Sequence, residues 1–191
     1  MNLLIDVAPQ SVSIDNKEYK INTDFRISMM FENLMQDRNY KENEKIALAI
    51  HLYYPIAPEN IEGAVEKLLW FYRCGKELNE DEESQSTEKV EDVYSFEHDD
   101  EYIYSAFLDQ YNIDLQDDNL HWWKFRALFK GLKEDNLINK IMGYRATKIT
   151  DDMTDKEKAY HRKMKEIYKI PDNRTTEEKE IDFNNSMSSM F

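Results

Sequence analysis

Val12 and Ile14 alternate with Ser13, and Tyr19 and Ile21 with Lys20, on either side of the polar run Asp15-Asn16-Lys17-Glu18. Alternation with period two around polar turn residues predicts a two-stranded hairpin over 12–21. The period then changes. Behind Asp24, whose carboxylate suits an N-cap, Phe25, Ile27, Met30, Phe31 and Leu34 recur at helical spacing, so a helix is expected to about Gln36. A second helix is expected over about Asn43 to Tyr53, where Pro55 forbids continuation. A third places Pro58 in its first turn, where a missing N–H matters little, and stops at Gly75. Its apolar stripe is Ile61, Ala64, Val65, Leu68, Phe71 and Tyr72.

Periodicity lapses after Gly75. Residues 76–92 hold eight acids against two lysines, with Leu78 and Val90 their sizeable apolar groups, the composition of a solvated, disordered linker. It is expected to divide a hairpin-plus-helices unit (1–75) from a helical unit (94–171), the linker itself spanning 76–93; whether the halves share one core stays open. Helical spacing resumes over Asp99 to Gln110, Asp118 to Leu132 and Asp135 to Arg145. Thr154-Asp155-Lys156-Glu157 has the form of a capping box, and Tyr160, Met164, Ile167 and Tyr168 stripe a last helix that Pro171 closes. Residues 172–191 show no comparable pattern and read as a flexible tail. The fold class is therefore mainly α: an N-terminal β-hairpin followed by a bundle of about seven helices, interrupted by an acidic disordered linker.

Two adjacent tryptophans sharpen the picture. At 100° per residue Trp122, Phe125, Leu128, Phe129 and Leu132 share a sector of roughly 120°, the width of one buried stripe. Trp123 falls off that sector, on the side of Arg126, Lys130 and Lys133. A tryptophan among cations is a candidate contact, because Trp, Arg and their cation–π pairing are enriched at binding hot spots. These four residues form the candidate partner-binding patch; the competing reading has another helix of the same chain covering Trp123.

Composition supports helices. Of 191 residues, 41% are hydrophobic and 13% aromatic, and four Gly with four Pro leave little material for turn-dense β architecture. The net charge of −14 disfavours nucleic acid and anionic membranes as partners. Its distribution matters more: residues 1–120 carry 27 acids and 10 bases (−17), 121–170 carry 7 and 13 (+6), and 171–191 carry 5 and 2 (−3). A single cysteine excludes an internal disulfide, and the start MNLLIDVAPQ lacks a signal-peptide pattern, so a cytosolic protein without membrane spans is expected.

Candidate chemistry is sparse. His51, His98, His121 and His161 lie dozens of residues apart without metal-ligand spacing. In His98-Asp99-Asp100-Glu101 the acids suit a helix N-terminus better than a cation site. Cys74 reads as a small hydrophobe near a helix end, and no phosphate-cradling or nucleophile motif occurs. No enzyme, cofactor or metal is expected.

The hairpin with INTDFR (21–26), YIYSAFLDQYNIDL (102–115), LHWWKFRALFKGL (120–132), KIMGYRATKI (140–149) and EKAYHRKMKEIYKIP (157–171) together resemble the bacteriophage gene-product-fifteen family of long-tailed phages and prophages of Gram-positive bacteria. HWWKF, the downstream YR and the terminal basic helix are the most specific parts. Asp15-Asn16 stands where the family leads one to expect Asp-Gly, a departure expected to change turn type rather than function. The resemblance implies a non-catalytic tail assembly chaperone in the host cytoplasm. Such a protein binds the tape-measure protein during tail morphogenesis, with a second tail assembly chaperone and self-association as further partners. Two other readings remain: a structural tail component that stays in the virion, and an acidic DNA mimic that inhibits a host protein.

Overall fold

The computed structural model describes residues 2–76 and 93–171, so the expected acidic linker, apart from its end residues, and the expected tail lie outside the described residues. Strands β1 (Ser11–Ile14) and β2 (Lys17–Lys20) pair antiparallel with Ile14 opposite Lys17. The two linking residues, Asp15 and Asn16, have φ of 51° and 60°, the positive values that a type I′ turn needs at both central positions. The expected change of turn type is thus corrected: Asp and Asn tolerate the left-handed region, and the turn an Asp-Gly pair would make is retained.

Seven helices follow among the described residues: α1 (Phe25–Gln36), α2 (Glu42–Tyr53), α3 (Ile61–Tyr72), α4 (Asp100–Tyr111), α5 (Trp122–Lys130), α6 (Leu137–Ala146) and α7 (Asp155–Ile167). Caps explain most boundaries. Asp24 accepts from the Arg26 N–H at 2.9 Å to start α1, and Thr154 with Glu157 closes the capping box of α7. Pro58 lies outside α3 instead of in its first turn, because the Asn60 side chain caps that helix by accepting from the Gly63 N–H at 2.9 Å. The same Asn60 donates to Asp15 at 2.9 Å, seating α3 on the hairpin turn. Gly63 permits the approach; a Cβ there would meet Ile14 at 2.9 Å.

The helix expected from Asp118 begins only at Trp122, because the residues before it pair with the start of α1. Phe25 N–H donates to Leu120 C=O at 3.0 Å and Trp122 N–H to Thr23 C=O at 2.8 Å, an isolated bridge between Asp24 and His121. Each helix start thereby satisfies an N–H that has no partner within its own helix.

Side chains from both sides of 77–92 build one hydrophobic cluster. At its centre Phe125 is fully buried and stacks on Phe25 (5.0 Å between centroids) and Phe107 (4.9 Å), flanked by Trp122 and Phe129. A buried ion pair closes the far end. Arg145 donates to both carboxylate oxygens of Asp99 (2.6 and 2.9 Å), to Val93 C=O and to Tyr168 C=O, while Asp99 also accepts from Ser95 N–H. Asp99 holds the N-cap position of α4 without a side-chain capping bond; the capping role expected of it gives way to this pair, and Asp100 and Glu101 occupy the first turn.

Candidate interaction surface

Trp123 is 2% exposed, so its placement on an open basic face is corrected. The end of α3 covers it. Its indole packs edge-on against Trp70 at 5.5 Å and beside Phe71 at 5.9 Å, and its Nε1 donates to Phe71 C=O at 2.8 Å. Trp122 Nε1 donates to the next carbonyl, Tyr72, also at 2.8 Å, while its ring stacks on Tyr72. The last carbonyls of a helix lack intrahelical partners; here two successive indoles donate to them, and Phe71 C=O accepts from the Cys74 N–H at 2.9 Å as well. The chain must also turn away beneath the second indole. Cys74 and Gly75 have φ of 58° and 73°, and a Cβ on Gly75 would meet Trp123 at 2.9 Å. Helical periodicity on α5 alone misses this, because the cover comes from a helix about fifty residues earlier; Gly75 at the close of α3 was the available signal.

Behind the indoles, His121 caps α5. Its Nδ1 accepts from the Trp123 N–H at 3.0 Å, which leaves Nε2 as the donor to Pro9 C=O at 3.0 Å. Burial lowers its pKa, the Pro9 contact opposing and Lys124 adding to the shift.

Of the other residues in the sequence patch, Arg126 is half-buried with its guanidinium 5.2 Å from the Trp122 ring, and Lys130 and Lys133 are exposed. Burial pushes the Cys74 thiol up, opposed by Arg126, Lys130 and Lys76, so these cations surround the α3 terminus. The patch is basic but not aromatic. A second basic surface lies on α7, which buries none of its residues. Lys156, Tyr160, Lys163 and Ile167 are all exposed, the apolar pair at 48% and 56%, and at 100° per residue they share a stripe about 60° wide. The opposite side of α7 leans on α6: Tyr168 stacks on Tyr144 at 5.9 Å and Lys165 donates to Arg145 C=O at 2.7 Å.

Two apolar features complete the surface. At the N-terminal end Leu4, Ile5 and Val7 are 95%, 81% and 87% exposed. They lie on a turn tied by Asp6 N–H to Asn2 C=O (2.7 Å) and Asn2 N–H to the Asp6 carboxylate (2.7 Å). Between α1 and α4 an open cleft of about 660 Å³ has Phe25, Met29, Phe96, Ile103 and Leu115 in its wall, with Arg26, Asp100 and Glu101 also lining it.

A family model described as bacteriophage Gp15 protein matches residues 4–170. The chain belongs to that family. No curated protein and no solved structure matches it. The Gp15 match spans both sides of 77–92, as the shared core does. Among its described residues this Gp15-family protein has no group of three or more His, Cys, Asp or Glu placed to hold a metal, and no helix long and apolar enough to cross a membrane.

Proposed function

We propose that this chain is a non-catalytic tail assembly chaperone that binds the tape-measure protein in the cytoplasm of the bacterial host before the tail tube polymerises. Membership of the bacteriophage Gp15 family over residues 4–170 carries the reading. Surface chemistry supports it. A long helical client with apolar and acidic positions suits a basic stripe interrupted by an aromatic and an aliphatic side chain, which α7 offers in Lys156, Tyr160, Lys163 and Ile167. Lys130 at the end of α5 and Lys133 just beyond it extend the positive field, with Arg126 at its edge; Trp123, buried, stiffens the α3–α5 joint from beneath.

Gene deletion with protein analysis of purified particles tests the role. A chaperone is required for tails yet absent from finished virions. Stoichiometric recovery of this chain in intact particles would make it a structural tail component instead.

A further inference from the structure

We propose that α7 reads a single partner helix bearing two acidic residues seven positions apart, interleaved with two apolar residues seven positions apart. This deepens the chaperone reading and rests on it for the identity of the partner alone. Lys156, Tyr160, Lys163 and Ile167 follow one another at steps of four, three and four, the spacing by which one helix presents a seam to another. Lysines thus alternate with apolar groups along roughly 16 Å of exposed helix. The stripe is also held ready. A capping box fixes the first turn, with the Glu157 carboxylate taken up by the Thr154 N–H and hydroxyl (2.8 and 2.7 Å), while Tyr168 and Lys165 fasten the other end to α6. Tyr160 meets Tyr144 edge-on at 6.1 Å and through its hydroxyl at 3.2 Å, yet remains 48% exposed. A partner finds these side chains already placed, which lowers the ordering cost of binding.

Charge and spacing select the occupant. Each lysine can lay its stem along the seam while its ammonium meets a carboxylate opposite, whereas an apolar group there would leave the covered charge unpaired. A second copy of α7 brings the same lysines and no acid at these positions. The acidic stretches of the chain itself lack the spacing: Leu78 and Val90, the sizeable apolar groups of 76–92, are twelve positions apart, and no two acids within 172–191 are seven apart. The occupant is therefore a helix of another protein. Running parallel to α7 it reads acid-x3-apolar-x2-acid-x3-apolar; running antiparallel it reads apolar-x3-acid-x2-apolar-x3-acid.

Titration of the purified full chain with designed helical peptides in these two orders, followed by the backbone amide resonances, tests the rule without any tape-measure protein. At least one order should shift the resonances of α7, with a dissociation constant on the order of 100 µM, as befits so small an interface. A peptide of the same composition with its acids moved off the seven-residue spacing should bind about tenfold more weakly. Lys156→Glu/Lys163→Glu should lose the acidic peptide and bind one with lysines in place of the acids, a rescue that a misfolded variant could not give. Equal binding of the respaced peptide, shifts centred away from α7, absence of rescue, or no binding of either order at millimolar peptide would overturn the proposal. Co-purification of the tape-measure protein can succeed where these peptides fail, so the recognition rule and the chaperone role stand or fall separately.

Discussion

Replacing Trp123 with alanine removes an indole that fills the space between α3 and α5 and a hydrogen bond to a helix-terminal carbonyl. Chemical denaturation should therefore record losses of about 3–5 kcal/mol for Trp123→Ala and Trp122→Ala alike. Trp123→Phe keeps much of the volume and leaves Phe71 C=O the Cys74 N–H as its remaining donor, so it should cost about 0.5–1.5 kcal/mol. A small effect of Trp123→Ala would return that residue to the surface. His121 adds a pH-dependent contribution. Its folded pKa is lowered by burial, so the unfolded state binds the proton more readily. The stability it provides is full above the unfolded value of about 6.5 and is lost as pH falls through the lower folded value. His121→Asn keeps a capping acceptor without titrating in this range, so its stability should fall less than that of the wild type between pH 7 and 5; parallel profiles would refute the assignment. At this scale the sequence was legible wherever a residue acts on its own helix, as Asp24 and Thr154 do. Trp123 was misplaced, and the pairing that Asp99 makes from its N-cap position was missed, because the partners, Phe71 and Arg145, are 52 and 46 residues away.

Among the helices, α5 and α7 sit at opposite limits. Trp122, Trp123, Phe125 and Phe129 are buried on α5, while α7 buries none and is held through Tyr168, Lys165 and the Tyr144–Tyr160 hydroxyl contact. Local opening follows buried contact, so amide exchange should be fastest in α7 and slowest in α5. Protection of α7 equal to that of α5 in the isolated protein would mean that its exposed stripe is already covered. Periodicity gave the helix types and most limits because capping boxes, prolines and stripes are local signals. It overran at both ends of the Asp118–Leu132 segment and at Pro58. At the start of that segment and at Pro58 the backbone N–H groups find partners elsewhere, in the Thr23–Trp122 bond and the Asn60 cap. The last helix is where pattern and burial diverge: its apolar spacing was legible, but Ile167 and Tyr160 stay exposed, Tyr160 meeting α6 only edge-on at Tyr144.

Taken whole, the molecule places the residues that carry its family resemblance at joints. The stretch 21–26 bridges to 120–122, Trp122 and Trp123 tie α5 to α3, and Arg145 binds together Asp99, Val93 and the end of α7. These motifs specify how the halves meet, so they identify the family without marking the binding surface. Composition and charge made the helical class and the basic region legible; which basic residues face solvent was not, since that depends on how α3 and α6 cover their neighbours. The chaperone account concentrates client binding on the open basic faces of α5 and α7. Co-expression with the tape-measure protein of the same phage, followed by affinity purification across a salt series, addresses that claim most directly. The account predicts a soluble tape-measure protein that co-purifies and is released as salt rises, and that is lost with Lys156→Glu/Lys163→Glu although the variant remains folded. A tape-measure protein that stays insoluble beside well-folded wild-type chain, or binding indifferent to both salt and the charge reversal, would contradict it.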